Sequence, residues 1–154
     1  LLFSANEVSE PWNRYVGEDE NGICICLTDE VRVTQADVRK IQLAKAPIAA
    51  GIQILLQEKG WQIKDIDQVI LAGGFGSYMR KESAAAIGLI PKGLVSCTRS
   101  VGNAAGEGAV SAALSSEART ELEQLQKQMR YVELSTHEAF SDIFIREMSF
   151  TSSF

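Results

Sequence analysis

Between Thr34 and Lys59 the apolar residues Val38, Ile41, Ala44, Ile48, Ile52 and Leu55 recur at steps of three and four, the period of one helix face. Thr34 stands at a cap position, Asp37 follows three residues later, and Gly60 supplies a stop. The pattern predicts one long helix, packed by that stripe against a sheet. Pro47 lies well inside it, where the missing N–H removes the bond to Leu43, and a kink is expected between Leu43 and Pro47. Val69, Ile70, Leu71 and Ala72 follow another rule: a short apolar run without alternation, as in a strand covered on both faces. Gly73, Gly74 and Gly76 come directly after it.

The same reading covers the rest of the chain. Residues 7–22, with Pro11, Gly17 and the acidic Glu18, Asp19 and Glu20, read as a surface loop holding a short strand around Arg14 to Val16. Ile23 to Thr28 reads as a strand, and Val31 to Val33 as its continuation or its partner after a turn at Asp29-Glu30. Arg80 to Ile87 is expected to be helical and stopped by Gly88, with a loop over 89–93 and a strand over Leu94 to Thr98. Asn103 can cap a helix through Leu114. Ser116 to Arg130 is a charged amphipathic helix with Leu122, Leu125 and Met129 on its apolar side. Tyr131 to Leu134 is strand-like, and Ser135 or Thr136 caps a last helix whose buried stripe is Phe140, Ile143, Phe144 and Met148. Phe150 and Phe154 end the chain in a tail that either packs back or binds a partner. Leu1 to Ser4 carry no start signal and read as the tail of an earlier element, as in a fragment.

Composition narrows the function classes. The chain has 154 residues, 45% of them hydrophobic, enough for a sizeable core in one domain. Its net charge is −5, without a basic cluster, which argues against a nucleic-acid surface and gives no support for an anionic membrane. No apolar run is long enough to span a bilayer and no leader pattern opens the chain, so a cytoplasmic location is expected. The three cysteines are an odd number; Cys24 and Cys26, at strand spacing, read as reduced, packed thiols rather than a metal or redox site, and His137 is remote from them.

Candidate chemistry is sparse. No phosphate-cradling G-x-x-x-x-G-K-[ST], G-x-G-x-x-G after a strand, G-x-S-x-G or zinc spacing is present. Glu107 and His137 are the candidate acid/base groups, but neither has a partner identifiable in sequence, and a surface or capping role fits each. What remains is two glycine-bearing turns, each entering a helix. Glycine allows positive φ and lacks a Cβ, so the backbone can approach a ligand's sugar or phosphate; a plain tight turn fits the first pattern equally. Gly106 and Gly108 lie inside a helix at about 1 kcal/mol each relative to alanine, which calls for either close packing or a ligand. Gln42 and Lys45 share a face with Ala49 that reads as solvated. Together the two turns and the long helix are able to enclose the adenosine part of a nucleotide.

Five segments carry a resemblance: residues 33–46 (VTQADVRKIQLAKA), 71–76 (LAGGFG), 86–91 (AIGLIP), 101–109 (VGNAAGEGA) and 131–134 (YVEL). In this order they resemble the C-terminal region of the reductive activators of corrinoid proteins, ATP-dependent iron–sulfur proteins of the actin, sugar kinase and Hsp70 superfamily. The resemblance runs from Val33 to Phe150 and is weak before Val33. It implies an α/β fold, the C-terminal part of an actin-like (ribonuclease H-like) ATPase lobe with a mixed sheet flanked by helices. Residues 1–154 would be a single domain, the C-terminal fragment of a larger multidomain protein, with 1–32 partly loop and edge strands.

The resemblance also implies ATP and magnesium in the full-length protein, and a 2Fe–2S cluster in an N-terminal domain absent from this chain. ATP hydrolysis would drive an electron from that cluster to cob(II)alamin in the corrinoid protein of a methyltransferase system, giving cob(I)alamin, in an anaerobe. By resemblance Gly73, Gly74, Phe75 and Gly76 match the adenosine motif, Gln42 and Lys45 the helix face toward adenine and ribose, and Asn103, Gly106 and Glu107 would flank the base. Pro47 stands where the family suggests alanine. The implied partners are the corrinoid protein and the remaining domains, with a homodimer admitted. The chain has neither the Asp-x-Gly-Thr phosphate loops nor a four-cysteine cluster pattern, so alone it is expected neither to hydrolyse ATP nor to transfer electrons. Two alternatives stand beside this reading: an interaction or dimerisation module with a vestigial nucleotide site, and an activator of a 2-hydroxyacyl-CoA dehydratase.

Overall fold

The structure is a computed structural model that describes residues 8, 10–20 and 22–150; Leu1 to Ser4 and Phe154 lie outside the described residues. The chain forms two compact units, Leu1–Lys45 and Ala46–Phe154. Among the described residues no helix is long and apolar enough to cross a membrane.

In the first unit a 3-10 turn over Trp12–Tyr15 leads into three antiparallel strands, β1 (Val16–Asp19), β2 (Gly22–Cys26) and β3 (Arg32–Thr34), in that spatial order. The loop expected over 7–22 therefore contains a strand further along than Arg14 to Val16, one that takes in Glu18 and Asp19. Val31 to Val33 is a partner of β2 rather than its continuation: Ile25 faces Val33 and Cys24 faces Thr34. On the other side Cys24 faces Gly17. Cys24 is buried, its Sγ lies 3.8 Å from that of Cys26, and both are free thiols. Gly17 makes room for them, since a Cβ there would stand 2.7 Å from the Cys26 sulfur.

Helix α1 (Gln35–Lys59) starts on the expected cap. The Thr34 N–H and hydroxyl both donate to Asp37 Oδ2, at 3.1 and 2.8 Å, and the Asp37 N–H donates back to Thr34 Oγ1 at 3.3 Å. These bonds satisfy donors that the first helical turn leaves without intrahelical partners. The helix continues through Pro47. Its buried face is not the predicted stripe. Ala46, Ala49, Ala50 and Ile54 are fully buried, while Ile48 is 46% and Leu55 50% exposed and Ile41 and Ala44 are exposed too. The physical reason is shape: small residues give a smooth surface that neighbours can approach closely. A Cβ on Gly51 would lie 3.2 Å from Leu134 Cδ1. Counting bulky residues at helical spacing selects the wrong face when the contact face is built from alanine and glycine.

The second unit carries β4 (Val69–Leu71), α2 (Gly73–Tyr78), α3 (Lys81–Ala86), β5 (Thr98–Ser100), α4 (Ala104–Leu114), α5 (Ser116–Gln128) and α6 (Phe140–Glu147). β4 pairs in parallel with β5, Val69 opposite Thr98 and Leu71 opposite Ser100. The strand expected over Leu94 to Thr98 is displaced, because Lys92–Leu94 forms a 3-10 turn and the Thr98 hydroxyl donates to the Leu94 carbonyl at 2.6 Å. β4 is also not covered on both faces among the described residues: Ile70, at its centre, is 50% exposed. A two-stranded sheet leaves such a position without full cover. Gly88, at φ +75°, follows the end of α3 as expected.

Two apolar clusters hold this unit together. Ala84, Ala85, Leu89 and Ile90 form one, with Met79, Ile87 and Val95 against it. Ala50, Ile54 and Ile143 form the other, joined by Val132, Leu134, Phe140 and Phe144. Phe140, Ile143 and Phe144 of the expected stripe therefore pack as read, while Met148 is the half-buried residue after the end of α6 and is not part of this cluster. Tyr131 to Leu134 contributes side chains to this cluster without being a strand. Neither Ser135 nor Thr136 caps α6. Ser135 donates its hydroxyl to Glu133 at 2.6 Å, and the N–H of Ala139, the actual cap residue, goes to His137 Nδ1 at 3.3 Å. Leu122 and Leu125 on α5 and Met129 just after its end are exposed.

Candidate functional site

Two parallel strands bring both glycine-bearing segments to the same edge of the sheet. β4 ends at Leu71 and enters α2 through Ala72 and Gly73, whose φ of +83° lies in the region that only glycine adopts without strain. β5 ends at Ser100 and enters α4 through Val101, Gly102 at φ +43°, and Asn103. Three hydrogen bonds join the two crossings. The Val101 N–H donates to the Leu71 carbonyl at 3.0 Å, the Gly73 N–H to the Gly102 carbonyl at 2.6 Å, and the Ser100 hydroxyl to the Gly76 carbonyl at 2.7 Å.

The glycines separate by physical role. Gly76 is buried, and a Cβ there would lie 2.8 Å from the Leu71 carbonyl carbon and oxygen, so its reason is packing against β4. Gly106 lies under the Asn103 amide, whose Oδ1 accepts its N–H at 3.1 Å; a Cβ would collide with that cap. Gly74 and Gly108 have nothing within 4 Å of where a Cβ would stand. Packing explains the first two and not the second two. The segment over 73–76 is itself the start of a short helix rather than an open turn, with Phe75 in its first turn.

Asn103, Gly106 and Glu107 line one shallow, open concavity together with Val110 and Ser111 of α4. The structure thus brings Gly73 to Gly76 and the Asn103 turn together. Gln42 and Lys45 belong to the first unit, on the N-terminal half of α1, where Gln42 is half-buried and Lys45 is 1% exposed. The solvated-face reading of Lys45 is therefore not what the fold makes of it.

His137, without an identifiable partner in sequence, has one in the fold. Its Nε2 lies 3.6 Å from Glu58 Oε1, and Arg130 donates to Glu58 Oε2 at 2.8 Å. This ties the end of α1 to the segment leading into α6, a structural task. Sequence reasoning missed Ser100; its only signal is a hydroxyl at the carboxyl end of a strand misplaced by four residues. It also missed Glu147, fully buried on α6 and accepting from Gln53 Nε2 at 2.7 Å.

Comparison with known proteins gives the family. The model of the C-terminal domain of RACo, the ASKHA domain, matches residues 8–153. The corrinoid activation enzyme RamQ of Eubacterium limosum is 35% identical over 121 residues, 79% of this chain and 20% of that protein. A solved reductive activator for corrinoid, iron-sulfur protein superposes with a TM-score of 0.74 at 34% identity, over 86% of this chain and 22% of that one. The chain spans about a fifth of the length of these relatives. With a match over almost its whole length and an α/β architecture of the actin-like type, the chain belongs to the family of RACo C-terminal, ASKHA domains.

Proposed function

We propose that this chain is the adenosine-binding part of an ATP-dependent reductive activator of a corrinoid protein. The observation that carries the reading is the joining of two glycine-bearing crossings at the carboxyl ends of parallel strands, where ligands of α/β sheets collect. The residues fit a nucleoside: Gly74 and Gly108 leave open space where any other residue would put a Cβ. Gly73, Gly74, Phe75 and Gly76 would meet ribose and the α-phosphate side through backbone. Asn103, Gly106 and Glu107 would flank the base, and Gln42 and Lys45 of α1 remain candidates through the family resemblance. Bound ATP with magnesium would supply the hydrolytic driving force for an uphill electron transfer, and the residues for its phosphates would come from elsewhere in a longer polypeptide.

The relatives are about four times as long as this chain, which supports its working as one part of a multidomain protein with a 2Fe–2S cluster in another domain. The electron acceptor in this reading is the cobalamin of a corrinoid methyltransferase protein, in the cytoplasm of an anaerobe. Titration of ADP into the full-length protein tests the nucleotide site: Gly74→Val should weaken binding strongly. Unchanged affinity would point to an interaction module that has kept the fold without the ligand. Residues 1–154 alone should not turn over ATP, and turnover would overturn the assignment of the phosphate machinery to other segments.

A further inference from the structure

The short helix α2 ends at Tyr78, and the residue after it, Met79, is extended at ψ 126°. The carbonyl of Gly76 is thus one of the last four of the helix, and the residue four positions on, Arg80, lies outside it. Such carbonyls need a partner from elsewhere. Ser100, on the neighbouring strand β5, supplies it with a hydroxyl bond of 2.7 Å. Gly76 is buried, and its Cα face stands against the Leu71 backbone. Ser100 therefore grips the glycine segment at a residue that is already packed against β4. The two other bonds, Gly73 to Gly102 and Val101 to Leu71, hold only the beginning of that segment.

We propose that Ser100 is a positioning residue for nucleotide binding: capping the Gly76 carbonyl holds Gly73 to Gly76 in register with the Asn103 turn, the geometry that receives the adenosine. This rests on the nucleotide reading given above. Ser100 need not touch the ligand. It acts by removing freedom that the glycines would otherwise lose on binding, because three glycines in four residues carry a high conformational entropy.

The test compares Ser100→Ala, Ser100→Thr and Thr98→Val in the full-length protein, with ADP affinity by calorimetry and melting temperature without nucleotide. Thr98 is the control: its hydroxyl makes a buried bond on the same strand, to Leu94, away from the glycine segment. Ser100→Ala should weaken ADP roughly three- to tenfold, the range expected for one hydrogen bond. Ser100→Thr should restore the affinity, and Thr98→Val should lower the melting temperature while leaving affinity unchanged. Wild-type affinity in Ser100→Ala, or an equal loss in Thr98→Val, overturns the role of Ser100 while the nucleotide reading stands. No ADP binding by the wild type overturns the nucleotide reading, and the role of Ser100 with it.

Discussion

Gly73 donates its backbone N–H to the carbonyl of Gly102 at 2.6 Å, and each of the two has a positive φ. Two segments 29 residues apart in sequence thereby become one surface at the end of a parallel strand pair. A side chain at either position would be strained in this conformation.

Gly74 and Gly76 should respond differently to alanine. Gly76→Ala brings a methyl to 2.8 Å from the Leu71 backbone, which cannot swing away, and should cost about 1–3 kcal/mol as overpacking does. Gly74→Ala meets open space inside a helix and should be neutral or gain up to about 1 kcal/mol. Urea unfolding of both variants separates the positions; equal losses would contradict the described packing.

Asn103 caps α4 by accepting the Gly106 N–H at 3.1 Å. Asn103→Ala should cost about 1 kcal/mol of stability, and Asn103→Ser should recover most of it, since either side chain offers an oxygen at the cap. Thermal unfolding would read both, and an unchanged midpoint in the alanine variant would refute the cap.

Asp37 gives a pH dependence. Hydrogen bonds from the Thr34 N–H, then from the Thr34 hydroxyl and Lys40, hold its carboxyl below the ordinary 3.8. The folded state thus favours the carboxylate. Its stabilising contribution is fully present above the unfolded value and is lost as the pH falls through the depressed folded value. Relative to Asp37→Asn, the wild type should keep a constant advantage from neutrality to about pH 5 and lose it toward pH 3. A gap that stays constant into strong acid would rule out the carboxylate as its source.

The buried face of α1 can be checked by truncation. Ile54→Ala removes a fully buried side chain from the cluster with Ile143 and should cost about 2–5 kcal/mol. Ile48→Ala, at a position 46% exposed, should cost well under that. Chemical denaturation of the two variants decides between the observed face and the stripe drawn from bulky residues.

The sequence by itself determined the local devices: the reciprocal cap of Thr34 and Asp37, the Asn103 cap, the Gly88 stop and the apolar stripe of α6. Each depends on residues within about one helical turn of one another, so short-range chemistry is sufficient. The order of five segments also carried the family. Tertiary structure alone decided which face of α1 is buried, because that choice follows from how closely Leu134 and Ile143 approach alanines and a glycine. It alone placed β5 at Thr98–Ser100, after a 3-10 turn held by the Thr98 hydroxyl, and gave His137 its partner in Glu58, 79 positions away. The bonds that turn the two glycine segments into one surface, from Ser100 to Gly76 and from Gly73 to Gly102, belong to the same class. They join groups 24 and 29 positions apart, and no local pattern specifies a hydrogen bond across that separation until the strands that carry its ends have paired.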